Sequence, residues 1–248
     1  MPPLAPLSLL LLLLSLLFPT AKTATTKIPA TQTPNTLNLT IVNNCAFTIW
    51  PSIEPNQGSS QIITGNQQTF YLKTLQIESF AMPAAPWSGR VYARTGCNPA
   101  PTACATGNKP PFTIAQFSIN PTNPNTNSAY SVSLVDGFNL PMTVTPHGGA
   151  GNCPVVGCRH DLLKTCPAQL VVRGDGSRVV ACKSACEAFQ NDEYCCRGAF
   201  AGQGKCKPSS YSEGFKSVCP DTYTFPADNP FAKDECKAPI ELKVIFCH

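Results

Sequence analysis

Fourteen cysteines and three histidines are the side chains of this 248-residue chain whose type and spacing could do chemistry. Thiols can cross-link, hold a metal or attack a substrate. A zinc reading rests on Cys158 and His160, two residues apart, but no C-x-x-C pair supports it. A nucleophile needs a base beside it, and the candidates are His147 in a Gly-rich run, His160, and His248 at the last position. No Gly-x-Ser-x-Gly, phosphate loop or His-Glu-x-x-His occurs. Cross-linking remains. Nine cysteines crowd between Cys153 and Cys219, Cys45 fronts the first strand-like run and Cys247 lies next to the last residue. An even count behind a secretory leader reads as seven disulfides, no free thiol, and one bridge tying the two ends together. No metal and no cofactor is expected.

The leader is Met1 to about Ala24, with an apolar core from Leu7 to Phe18 that is short for a membrane span. Nothing beyond it is apolar enough to cross a bilayer. A polar Thr/Pro tether, residues 25–36, follows, and residues 37–248 read as one domain. Charged residues are 13% of the chain, about half the usual share. The formal charge of +4 is mildly basic and forms no nucleic-acid patch.

Period-two alternation marks a strand in Leu37–Asn43, and again in the tail, where Ile240, Leu242, Val244 and Phe246 point one way. Short β-type runs lie at 47–50, 69–72, 91–94, 114–119 and 130–135, separated by Pro, Gly and Asn. Residues 179–191 read as the best helix, with Ser177 as its N-cap. Adjacent Cys195 and Cys196 cannot close on each other without strain, and Cys182 and Cys186 share a helix face, so each seeks another partner. Asn38-Leu-Thr40 is the one glycosylation sequon, in the first strand.

Several motifs carry a resemblance. Tyr130-Ser-Val-Ser-Leu-Val-Asp136-Gly-Phe-Asn-Leu-Pro-Met142, the following Pro-His-Gly-Gly-Ala-Gly-Asn-Cys153, Ile41-Val-Asn-Asn-Cys45, Ala93-Arg-Thr-Gly-Cys97 and Glu193-Tyr-Cys-Cys196 occur in order. Over 37–248 the chain resembles plant thaumatin-like, pathogenesis-related proteins. The resemblance implies a mainly β fold: a flattened antiparallel β-sandwich (about 37–94, 109–158 and 220–248), a short disulfide loop (95–108) and a disulfide-rich, partly helical subdomain (about 159–219). It implies the pairs Cys45–Cys247, Cys97–Cys104, Cys153–Cys236, Cys158–Cys219, Cys166–Cys182, Cys186–Cys195 and Cys196–Cys206. One family bridge is missing: its cysteines give way to the run Cys104-Ala-Thr-Gly-Asn108-Lys-Pro-Pro.

The resemblance also implies a cleft lined by one Arg, one Glu and three Asp, associated with antifungal action, β-1,3-glucan binding and, in some members, glucan hydrolysis. Here the matching positions are Arg94, Gln116, Ser131, Asp136 and Asp228, so two of the four carboxylates are replaced. Hydrolysis of a glycoside needs a protonated acid and a second carboxylate; Gln116 cannot supply the proton, and Glu54 and Glu78 have no evident place in the cleft. Each retained residue also has a plainer reading: Asp136 before Gly137 is a turn former, Asp228 sits between prolines, and Arg94 could brace Asp136. Gln116, Ser131 and Asn139 offer hydrogen bonds to sugar, and Phe138 or Tyr223 a stacking ring. The expectation is a secreted, apoplastic, monomeric defence protein that binds fungal glucan or fungal surfaces. The alternatives are a weak endo-β-1,3-glucanase and an inhibitor of foreign hydrolases.

Overall fold

The computed structural model describes residues 37–62, 70–98, 103–202, 204–229 and 236–248. The leader and the tether fall outside these residues. In chain order the strands are β1 (Asn38–Asn43), β2 (Ile49–Pro55), β3 (Ile77–Ala81), β4 (Trp87–Thr95), β5 (Ile114–Ile119), β6 (Ala129–Ser133), β7 (Met142–His147), β8 (Ala150–Gly151), β9 (Val156–Cys158), β10 (Val171–Arg173) and β11 (Val179–Cys182). Helices α1 (Ala185–Phe189), α2 (Asp192–Cys195) and α3 (Ser210–Val218) follow, then β12 (Cys236–Lys237) and β13 (Glu241–Phe246). No helix among the described residues is long and apolar enough to cross a membrane.

Two sheets face each other. One has the order β3-β1-β13-β7-β9 and the other β2-β4-β5-β6. Alternation explains why they pack: Ile49 and Ile53 of β2, Val91 of β4, and Leu242, Val244 and Phe246 of β13 all turn inward and are essentially excluded from solvent. Ile240 precedes β13 and is 64% exposed, so it does not share the inward face of Leu242. The sandwich is antiparallel except at one place, where β1 runs parallel to β13, Asn38 opposite Glu241 and Asn43 opposite Phe246. Parallel neighbours cannot be joined by a hairpin, and these two come from opposite ends of the domain.

A second, smaller core gathers Leu134, Phe138, Leu162, Leu170 and Phe215 around Cys158, Cys182 and Cys219. The segment expected to be one helix, 179–191, divides here. Val179–Cys182 pairs with β10, and Cys182 exchanges backbone hydrogen bonds with Phe138, which holds it extended. The helix starts only after Ser184, whose hydroxyl accepts from Glu187 N at 3.1 Å. Ser177 caps nothing; it sits at φ 61° in a tight turn. Helix α3 is opened by a reciprocal cap between Ser209 and Ser212.

All fourteen cysteines are bonded, as Cys45–Cys247, Cys97–Cys104, Cys153–Cys236, Cys158–Cys219, Cys166–Cys182, Cys186–Cys195 and Cys196–Cys206. Cys182 is on a strand and Cys186 on a helix, so they are kept apart by a change of backbone and not by sharing a helix face.

Candidate functional site: a polar face across the four-stranded sheet

The strand register of the four-stranded sheet builds a row. Glu54 on β2 lies opposite Arg90 on β4, Arg90 opposite Gln116 on β5, and Gln116 opposite Ser131 on β6. Neighbours in each strand face the core, so these four share the outward face. Glu54 therefore shares this row with Gln116 and Ser131, although its sequence position gave no sign of it. One carboxylate oxygen accepts from Arg90 Nε at 2.9 Å, with Nη2 at 2.7 Å, and the other accepts from the Tyr92 hydroxyl at 2.5 Å. Burial, reinforced by that carboxylate, pushes the Tyr92 hydroxyl above its ordinary range, so it stays a donor. The Tyr92 ring stacks on Phe112 with centroids 4.6 Å apart.

Asp136 sits on the turn just after β6, where Gly137 at φ 97° lets the chain pass close to Pro111 and the Cys182 carbonyl. Burial raises the Asp136 carboxyl above its ordinary value, and the Arg90 guanidinium partly opposes this. The arginine whose charge reaches Asp136 is thus Arg90. Arg94 lies four residues further along β4, opposite Trp50, with Gly107 packed flat on its backbone.

Asp228 is placed differently again. Its Oδ2 is held by Lys216 Nζ at 2.6 Å and accepts from Thr224 N and Oγ1 at 2.8 and 3.1 Å, which fastens the loop behind α3. Two further sequence candidates are removed by burial. Phe138 is fully enclosed in the second core and cannot stack on a ligand. Asn139 is also buried; its amide donates to the Ala93 carbonyl and Thr106 Oγ1 and accepts from Thr113 N. Tyr223 does reach the row: with Gln116 and Ser131 it lines a hollow of about 250 Å³. Among the described residues, no cluster of His, Cys, Asp and Glu has the makings of a metal site.

The assembled face is a shallow polar sheet surface bordered by aromatic rings, with one arginine paired to one carboxylate, and Asp136 on the turn beyond it. The amide of Gln116 is at its centre. The chain belongs to the thaumatin family, whose model matches residues 43–248. It is 49% identical over 261 residues to an osmotin-like protein of Solanum lycopersicum, covering 99% of this chain and 97% of that one. It is 44% identical to thaumatin-like protein 1 of Arabidopsis thaliana, over 84% of this chain and 85% of the relative. It is 34% identical to a protein of Prunus avium named glucan endo-1,3-beta-glucosidase, over 83% of this chain and 88% of that protein.

Proposed function

We propose that this protein is a secreted plant defence protein that binds β-1,3-glucan on the Glu54–Arg90–Gln116–Ser131 face without appreciable hydrolysis. The observation that carries the reading is Gln116. It occupies the middle of a row rich in hydrogen-bonding groups, and its amide can hold a sugar hydroxyl but cannot protonate a leaving oxygen. Tyr223 borders the same hollow and offers a ring for stacking. A leader at the N-terminus and a full set of disulfides support export to an oxidising space, here the apoplast.

A second reading, a weak endo-β-1,3-glucanase, is favoured by one observation: burial raises the Asp136 carboxyl above its ordinary value, as suits a proton donor, and Glu54, paired with Arg90 at 2.7 Å, supplies a second carboxylate. The Prunus avium relative's name points the same way. One experiment separates the two. Wild type, Gln116→Glu, and Gln116→Glu with Ser131→Asp are compared for sedimentation with insoluble β-1,3-glucan and for reducing-sugar release. Binding by all three, with release only in the restored variants, supports the binder; a lost general acid costs about 10²–10⁴-fold in rate. Robust release by wild type that disappears in Asp136→Asn establishes the glucanase instead.

A further inference from the structure

A separate groove of about 650 Å³ lies toward the start of β2, well away from the Gln116 row. Trp50 and Glu54 are four residues apart on β2, about 13 Å of strand, and no residue of the polar row lines the groove. One wall is aromatic: Phe47, nearly half exposed, and Trp50, whose ring tilts against Tyr71 with centroids 6.4 Å apart. The other wall is aliphatic, made by Leu163, Val179 and Val180 of the disulfide-rich part.

The polar groups of this groove are mostly engaged elsewhere. Thr95 Oγ1 is paired with Thr106 Oγ1 at 2.8 Å, and the Asn139 amide is fully occupied within the core. Asp161, the one carboxylate among the described residues that line it, caps the adjoining turn by accepting from Leu163 N at 3.1 Å. Two cations remain. Lys164 and Arg178 are exposed, and neither side chain forms an ion pair among the described residues. Beyond these two cations, Thr48 and Asp161, a neutral sugar would find little to hydrogen-bond along the apolar walls. An acyl chain needs none, since apolar walls satisfy it, and a volume of this size suits a small molecule. An anionic head would meet two unpaired cations.

We propose that this groove binds a single-chain amphiphile with a carboxylate or phosphate head, its chain between Trp50 and Val180 and its head against Lys164 and Arg178. The protein carries its own reporter. It has two tryptophans; Trp87 is 1% exposed in the sandwich core, so only Trp50 can touch a ligand in the groove. The test is emission quenching of the secreted protein by brominated chains below their aggregation concentrations. Dibromostearate, a lysophosphatidate with the same brominated chain, and neutral dibromostearyl alcohol are compared; the first two distinguish a carboxylate from a phosphate head. The expected result is saturable quenching by at least one anion, absent in Trp50→Phe. In Lys164→Ala/Arg178→Ala, anion affinity should fall on the order of tenfold and alcohol affinity should not change. Both cations are exposed, so this double variant keeps the fold, which circular dichroism verifies. Absence of quenching by either anion, equal affinity for alcohol and anions, or unchanged anion affinity in the double variant would overturn the proposal.

Discussion

Removing the Cys45–Cys247 bridge by the paired change Cys45→Ser/Cys247→Ser should be far more costly than removing a short one. The two cysteines are 202 residues apart in sequence. The bridges Cys97–Cys104 and Cys153–Cys236 lie along the intervening chain and shorten its path, to about 115 residues when each bridged loop is skipped. Closing a ring of that size is worth about 5 kcal/mol at 25 °C, against about 2 kcal/mol for the seven-residue span of Cys97–Cys104. The native state should survive the change, because β1 and β13 remain paired over their whole length and β13 is flanked on its other side by β7. The loss therefore arises in the denatured chain, which becomes freer. The melting temperature should fall by about 10–20 °C for a domain of this size. Guanidinium unfolding of the non-reduced proteins, followed by far-ultraviolet circular dichroism, measures both variants against wild type. Equal losses for the long and the short bridge would refute the loop-entropy account; a loss under about 1 kcal/mol for the long bridge would do the same.

Asp136→Asn tests the buried carboxyl. Its folded pKa is raised, so the native state binds the proton more tightly than the unfolded chain, and wild type loses stability as pH rises from the ordinary aspartate value through the raised one. The variant escapes that loss, so its stability relative to wild type should increase as pH rises above the ordinary aspartate value; urea melts showing the reverse trend would contradict the assignment. Gly137→Ala should destabilise by about 2–4 kcal/mol, because an added Cβ would lie 2.4 Å from Pro111 Cβ and 2.6 Å from the Cys182 carbonyl at a φ of 97°. Asn139→Ala strands the Ala93 carbonyl and the Thr113 N–H in the core and should cost about 2–4 kcal/mol by the same melts; a neutral result would mean that water reaches the site.

The strands at 38–43 and 241–246 were legible because each alternates over a buried face, and a two-residue period is a local signal. The edge strand Ile77–Ala81 was not: none of its residues is buried, so no alternation of inward and outward residues marks it. Val179–Cys182 read as helix because small apolar residues carry little preference, and its extended form is imposed by Val171–Val172 and Phe138, which are distant in sequence. Helix α3 had a usable signal, Ser209 ahead of Tyr211, Phe215 and Val218 at helical spacing, that pattern reading left unused. At the candidate site, Gln116 and Ser131 could be picked out by motif. The partnership of Glu54 with Arg90 could not, since it exists only through the register of β2 on β4, 36 residues apart. The same register brings Arg90 opposite Gln116, while Arg94, four residues on, faces Trp50.

The order β3-β1-β13-β7-β9 has a consequence for how the chain comes to be folded at all. The strand synthesised after all the others is the one inserted in the middle of that sheet. Until β13 leaves the ribosome, β1 and β7 each present an unpaired edge, and the apolar faces of Leu39, Ile41 and Val144 have no Val244 or Phe246 to close against. The five-stranded sheet therefore cannot close before β13 has emerged, and any chain that still lacks it holds two half-sheets with a gap between them. The arrival of β13 is what commits it.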